Sequence, residues 1–444
     1  MAADQQGLKL TGSSRSAEAF NRAVADYYGL TGDPVGALKQ ARADDPSFVL
    51  GGVGVAGLFM IGGFKGDHPE VADALRAAKA AVDGATDREQ LHLAAVEAWA
   101  AGRSPDAILA WERILVDWPR DALALRFAQD GYFFLGQASA LRDSVARVLP
   151  AWGRDNPLRS FILGAHAFGL EETGDLKRAE DAAREALEAN SRDAWATHAL
   201  AHVFETACRQ DEGVAFLKKT RADWSSAHFM AGHNGWHLAV FLIEQGRFAE
   251  VLAGYDAFTA PKLAGDMTLD RVDAASLLWR LELADVDVGD RWAPVARAWM
   301  AHADDHVLAF NDLHCALAAA RSSDPGDAER FRCSLDAYER DGVGHNKRVT
   351  AEIGRKLIEG ALAFAAGDYE AAIEEILPVR YEAVRIGGSH AQRDIVNRTL
   401  IAAAERSGRW NLACALLAER RALRPTARTQ AAYETAVSRA LAAV

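Results

Sequence analysis

Gly102-Arg103-Ser104-Pro105-Asp106-Ala107, followed twelve residues after its alanine by Pro119, is the stretch from which the architecture can be read. The glycine ends one helix where the backbone must turn left-handed, and the small residue five positions on lets the next helix pack closely against the first. The proline then stops that second helix. The pairing recurs as Gly32/Ala37, Gly174/Ala179, Gly246/Val251, Gly367/Ala372 and Gly408/Ala413, and Pro425 stands after Ala413 as Pro119 does after Ala107. The intervals are in the mid-thirties to about forty residues, or multiples of these. Between the turns, Ala-, Leu-, Glu- and Arg-rich segments favour helix, and their apolar residues recur at three and four rather than two. The expectation is an all-α chain with hardly any strand.

This register resembles the tetratricopeptide repeat, a stacked α-hairpin of roughly thirty-four residues. The resemblance implies a right-handed α-α superhelix, a solenoid of about eleven hairpins. Their starts are expected near Glu18, Val49, Arg88, Ala122, Ser160, Ala194, Gly232, Asp270, Ala309, Ile353 and Asp394. A repeat architecture overrides the length prior of about three domains for a chain of 444 residues, so 1–444 reads as a single solenoid. Within it, 18–158 are N-terminal repeats, 159–321 a His-rich centre and 322–444 C-terminal repeats. The least regular stretches are 49–64 and 322–346. Gly51-Gly52-Val53-Gly54-Val55-Ala56-Gly57 lacks the Gly-Lys-Ser/Thr of a phosphate-binding loop, so close helix contact is the better reading of its glycines.

Sixty-two acidic against fifty basic residues give a net charge of −12. No Lys/Arg cluster interrupts the chain, so nucleic acid is set aside as a partner. Met1 to Leu10 has no basic-then-apolar order, and no apolar run approaches the roughly eighteen residues of a spanning helix. A cytoplasmic protein without membrane attachment is expected. Cys208, Cys315, Cys333 and Cys414 are scattered with no Cys-x-x-Cys, against a disulfide framework or a thiolate zinc site.

The strings Ala227-His228-Phe229, His233-Asn234-Gly235-Trp236-His237, Phe310-Asn311-Asp312-Leu313-His314 and Gly387-Gly388-Ser389-His390-Ala391-Gln392-Arg393-Asp394 carry a closer likeness. With the repeat register, they resemble the family called tetratricopeptide repeat protein 38 from about Phe20 to Leu423. Gly235 departs from it where an aromatic residue is expected, and His390 where other members have Asn. The resemblance implies a superhelical fold and brings no activity with it.

Nine of the thirteen histidines lie between His166 and His314. His198 with His202 and His233 with His237 are i,i+4 pairs one repeat apart, and each pair shares a helix face. In the tetratricopeptide pattern the first helix of each hairpin lines an inner groove. That pattern aims Arg126, Asp130, Phe133, Trp195, His198, His202, Glu205, His233, Trp236, His237, Glu244, Phe310 and His314 inward, with Asp273, Trp279 and Arg280 in a less certain register. Any one of these histidines reads as a space-filling ring bonded to a carbonyl or carboxylate, and the tryptophans as core packing. Arg126 with Asp130 reads equally as an ordinary surface ion pair. Five histidines on one face are harder to explain by packing alone, because every ring must satisfy two nitrogens.

Three functions fit such a groove. The leading one is binding of a small polar or acyl-type ligand in a closed cavity, by Arg126, Asp130, His198, His233, Asn234, Trp236, Trp279, Arg280, Asn311, Asp312 and His314. The second is a hydrolase in which His202 or His237 acts as general base, oriented by Asp130, Asp273 or Asp312; His202, His237 and Asp273 are its catalytic candidates. Cys315 and Cys208 are weak nucleophile candidates. The third is a protein-interaction scaffold. No cofactor is expected, with zinc or another divalent metal as the minor alternative, since His-x-x-x-His chelates and Glu205 or Asp273 could complete a shell, but no His-Glu-x-x-His occurs and the two pairs need not converge on one ion. A homodimer is left open. Neutral histidines are expected to protonate near pH 6. His302 and His306 straddle a junction between units, so they are not expected to share a helix face.

Overall fold

All six turn glycines adopt the left-handed backbone that their spacing demands, with φ between +62° and +85°, in the computed structural model, which describes residues 1–442. Five of their six partners five residues on are buried where the helices meet, whereas Ala37 is half-buried. Ala107, Ala179, Ala372 and Ala413 have no exposed surface, and Val251 retains 1%. A larger side chain at such a crossing costs about 1–3 kcal/mol through overpacking. Gly136 (φ +64°) with the buried Leu141 makes a seventh such turn, outside the sequence series.

The fold is an all-α solenoid in which helices pack chiefly against their sequence neighbours. Asp87–Ala100 packs on Ser104–Asp117, Arg159–Glu172 on Leu176–Ala189, Arg355–Ala365 on Tyr369–Ile376, and Trp410–Leu423 on Ala427–Ala442. Among the described residues, strand is confined to Ala2–Ala3 paired antiparallel with Lys9–Leu10. Helices begin at Val49, Ala122, Ala194 and Ala309, as the repeat register requires. Ten of the eleven expected starts lie within four residues of a helix start, with the largest of these offsets at Glu18, Gly232 and Asp394, inside helices that start at Ser14, His228 and His390; Ile353 instead falls within the π-helical turn Thr350–Gly354 of a helical run that begins at Gly344. No helix among the described residues is long and apolar enough to cross a membrane.

Capping explains many of these starts. The Asp121, Asp175 and Asp368 carboxylates accept from the backbone N–H three residues on, and Thr86/Glu89 and Ser389/Gln392 form reciprocal capping boxes. Asp121 does more than cap. It also lies 2.6 Å from Arg88 and 3.0 Å from His92 in a buried cluster. The glycine-rich run is the helix Val49–Ile61, and its glycines are close-contact positions: a Cβ on Gly52 would stand 2.6 Å from the Ala74 carbonyl oxygen. Ser322-Ser323-Asp324-Pro325-Gly326 is the expected turn, leading into Asp327–Asp341.

The chain divides into two compact units. The first comprises Met1–Leu200, Asp223–Met230 and Val343–Lys347, with Leu50, Val53, Trp111 and Phe127 at its core. The second comprises Ala201–Ala222, Ala231–Gly342 and the chain from Arg348 onward, with Leu278, Trp279, Ile358 and Leu400 fully buried.

Candidate functional site

The first unit holds Arg126, Asp130, Trp195 and His198. Arg126 and Asp130 lie one turn apart on the helix Ala122–Phe134, and they are not a surface pair: exposures are 7% and 9%, and a guanidinium nitrogen stands 2.6 Å from the carboxylate. The Tyr27 hydroxyl donates to the same carboxylate, a partner that nothing near Asp130 in the sequence announces. Burial, reinforced by the Asp130 charge, pushes the Tyr27 phenol well up, so it stays protonated as the donor. The Arg126 guanidinium lies 3.7 Å from the centre of the Trp195 ring, and His198 packs against Phe168 at 5.2 Å between ring centres. Arg126, Asp130 and Tyr27 satisfy one another, while the Trp195 indole N–H has no hydrogen-bond acceptor among the described residues.

The second unit gathers the denser cluster. His202 and Glu205 sit one turn apart on Ala194–Thr206, and His233, Trp236 and His237 share a face of His228–Glu244 because i, i+3 and i+4 project together. The His202 and His237 rings stand 4.6 Å apart, His233 and His237 5.0 Å, and His233 stacks on Trp236 at 5.3 Å with only 8° between planes. His202 and His237 are wholly buried, and His233 is 4% exposed. Carboxylates alternate with the rings. Asp273 holds His233 Nδ1 with both oxygens at 3.0 Å, whereas the oxygen nearest His237 Nδ1 belongs to Glu205, at 3.3 Å. Asp312 instead binds His306 at 3.1 Å, and Asp130 belongs to Arg126. The carboxylate facing His237 is therefore none of the three expected from the sequence. It comes from the neighbouring hairpin, one turn beyond His202.

Residues far along the chain complete the cluster. Arg424 donates to the other Glu205 oxygen at 2.8 Å and to His390 Nδ1 at 3.2 Å. Because a guanidinium only donates, His390 Nδ1 is an acceptor, so His390 Nε2 carries the proton and donates to the Thr206 hydroxyl, 3.3 Å away. Arg398 and Arg420 share the buried Asp394, and Arg398 also reaches Glu244. None of these arginines was singled out from sequence. The resemblance strings hold His390 and Asp394 but not the residues that bind them.

Burial and charge set the protonation states. Burial pushes His237 down to about 3, with the neighbouring His202 lowering it further against Glu205, and pushes His314 down to about 4. The expectation of protonation near pH 6 is corrected for both rings: the cost of placing a cation in the interior outweighs the attraction of Glu205. Burial alone would raise the Glu205 carboxyl, but the His237 and Arg424 contacts overcome it and hold it well below the usual range. Burial also raises the Asp270 carboxyl to about 6.

Arg280 stands apart. It is 2% exposed, lies 5.1 Å over the Trp236 ring, and donates to the Ser276 hydroxyl and to the carbonyls of Ala391 at 2.8 Å and Gln392 at 3.2 Å. No carboxylate among the described residues lies within ion-pair distance, and burial lowers it to about 10. Its Nε–H and the Trp236 Nε1–H have no hydrogen-bond acceptor among the described residues. His314 Nδ1 lies 2.8 Å from the Phe310 carbonyl and so must carry the proton, leaving the buried Nε2 as a lone pair without a partner.

Other expected site residues lie elsewhere. Trp279 sits as the packing reading has it: its indole N–H donates to the Thr399 hydroxyl at 2.9 Å, and with Leu313, Leu317, Leu357 and Ile376 it walls an apolar void of about 10 Å³, room for one water at most. Asn234 is fully buried and Asn311 half-buried. His306 (φ +46°) lies beyond the helix that ends at Met300, so it does not pair with His302 on one face, as expected. Burial raises the Cys315 thiol well above its ordinary value and raises Cys208 as well, which suits neither as a nucleophile. Gly235, where an aromatic residue was expected, has open space where a Cβ would stand.

No family model matches the chain.

Gly388 secures the Arg280 end of the cluster. Its φ is +77°, and a Cβ would stand 2.7 Å from the Phe310 ring, whose carbonyl fixes His314. Gly388→Ala is expected to destabilise the protein by about 2–4 kcal/mol, combining left-handed strain with overpacking. Urea unfolding measures it, and a midpoint unchanged from wild type would mean that Phe310 yields freely.

Proposed function

We propose that the second unit binds a small polar or acyl-type ligand through an anionic group held by Arg280 and Trp236. The observation that carries this reading is a buried guanidinium with no carboxylate partner among the described residues, beside a second buried N–H donor that lacks an acceptor among them. A buried cation without a counter-ion is costly, and a carboxylate or phosphate oxygen would satisfy both donors by charge-assisted hydrogen bonds. The neutral His314, with a lone pair facing inward, suits a hydroxyl or protonated group on the same ligand. The proposal includes a right-handed tetratricopeptide superhelix and membership of the tetratricopeptide repeat protein 38 family; the seven positive-φ turn glycines and the four quoted strings support that assignment.

A hydrolase that uses His237 as general base is the weaker reading. An imidazole pushed down to about 3 takes a proton from water poorly at neutral pH. A scaffold reading gains nothing from polar groups this deeply buried.

The test is thermal unfolding of metal-free protein with a panel of short-chain carboxylates and phosphomonoesters. A binder at one hundred times its Kd adds about 2.7 kcal/mol to stability. Arg280→Gln is expected to weaken that ligand by about tenfold or more while its own unfolding remains cooperative. Absence of stabilisation by every anion, or stabilisation that persists in Arg280→Gln, overturns the proposal.

A further inference from the structure

We propose that His202, His237 and Glu205 form a three-ligand site for a divalent transition metal of the zinc type, with a fourth position left for water or a substrate oxygen. The inference goes beyond the anion site and does not depend on it.

Two imidazoles and a carboxylate are an established donor set for zinc, and catalytic zinc sites keep three protein ligands with one position open. The geometry fits. Ligand bonds of about 2.0–2.1 Å at tetrahedral angles place neighbouring donor atoms about 3.3 Å apart. His237 Nδ1 and Glu205 Oε2 are separated by 3.3 Å, a long distance for a charge-assisted hydrogen bond and the right one for two ligands of one ion. A ring nitrogen of His202 lies within 4.8 Å of one of His237, and the rings meet at 60° rather than stacking.

The surroundings sort ligands from supports. Arg424 occupies the other Glu205 oxygen at 2.8 Å, which leaves Oε2 as the one turned to His237. Such an outer partner orients a carboxylate ligand and holds it ionised. His390 is a ring of the same cluster but both its nitrogens are committed, to Arg424 and Thr206, whereas the bond of His233 Nδ1 to Asp273 engages only one of its two nitrogens. The three proposed ligands are 0%, 0% and 4% exposed, so an ion bound there is shielded from competing solvent. The ligands come from two successive hairpins, which explains why the paired His-x-x-x-His spacing alone did not reveal them: one histidine of each pair ligates, and the third donor lies one turn from His202.

The experiment is titration of chelator-treated, full-length protein with cobalt(II) alone, followed by zinc competition and elemental analysis of the zinc-loaded protein. One equivalent of metal per chain is expected, with the intense visible bands of tetrahedral cobalt, bleached by zinc. His202→Ala and Glu205→Gln are expected to weaken zinc by more than about tenfold. His302→Ala is expected to leave it unchanged; this tests a rival site, because His302 stands 2.8 Å from both Asp266 and Asp305 on a partly exposed surface. Octahedral cobalt spectra, far less than one equivalent of metal, or affinity lost in His302→Ala but not in Glu205→Gln overturns the proposal. If a ligand variant fails to fold, the wild-type stoichiometry and spectrum still decide the matter.

Discussion

Asp394→Ala is expected to cost about 3–5 kcal/mol, because removing one partner of a buried ion pair strands the other. Here Arg420 is stranded, whereas Arg398 keeps its pairing with Glu244. Asp394 is 8% exposed, with Arg398 Nε at 2.6 Å and Arg420 Nη1 at 2.7 Å on its two oxygens. Burial opposes its ionisation, yet Arg420 and Arg398 hold the carboxyl well below its ordinary value. Glu352→Ala provides the contrast, since its pairing with Arg385 is exposed and such pairs contribute under about 1 kcal/mol. Urea unfolding of both variants at pH 7 checks the prediction. Equal losses would show that the Asp394 cluster relaxes or admits water when its carboxylate is removed.

Acid sensitivity is the second large effect, and its sign follows from the buried rings. His237 at about 3 and His314 at about 4 both lie below the unfolded value of about 6.5, so between those limits the unfolded chain binds more protons. Their contribution is complete above about pH 6.5 and is lost as the pH falls. At pH 5 the unfolded chain gains about 1.5 units of protonation advantage per ring, or about 2 kcal/mol each. Asp270, raised to about 6, and Asp193, raised by burial to about 7, act in the opposite direction, because the folded chain holds their protons. The clean measurement is therefore a difference. Between pH 7 and pH 5, His314→Asn is expected to lose about 2 kcal/mol less stability than wild type. Parallel stability curves for the two proteins would sink this account of His314.

The turns were legible because their cause is local. A left-handed backbone at Gly174 or Gly408 and a missing side chain at Ala179 or Ala413 are properties of a few consecutive residues, and ten of the eleven expected helix starts followed from them to within four residues. The shared helix face of His233 and His237 was legible for the same reason, since i,i+4 spacing is set by the helix itself. The partners were not. His237 could be placed on a face, but which of Glu205, Asp273 or Asp312 it would meet depends on the offset between hairpins, and a register error of one or two positions is enough to choose wrongly. Arg424 and His390 reach the cluster from far along the chain, and nothing in their local sequence distinguishes them from solvated residues. Trp279 shows the opposite failure. Its position suited either a polar wall or an apolar one, and only Thr399, 120 residues away, decides between them.

One bond has a consequence for the order in which this molecule matures. Most helices meet neighbours only a few tens of residues away, so ordering can start anywhere and spread along a nascent polypeptide as it emerges. The Arg424 bond to Glu205 joins residues 219 positions apart. Until that late hairpin docks, Glu205 lacks this counter-charge. A chain cut short before Arg424 would carry every one of those histidines and still leave the carboxylate beside them without its guanidinium.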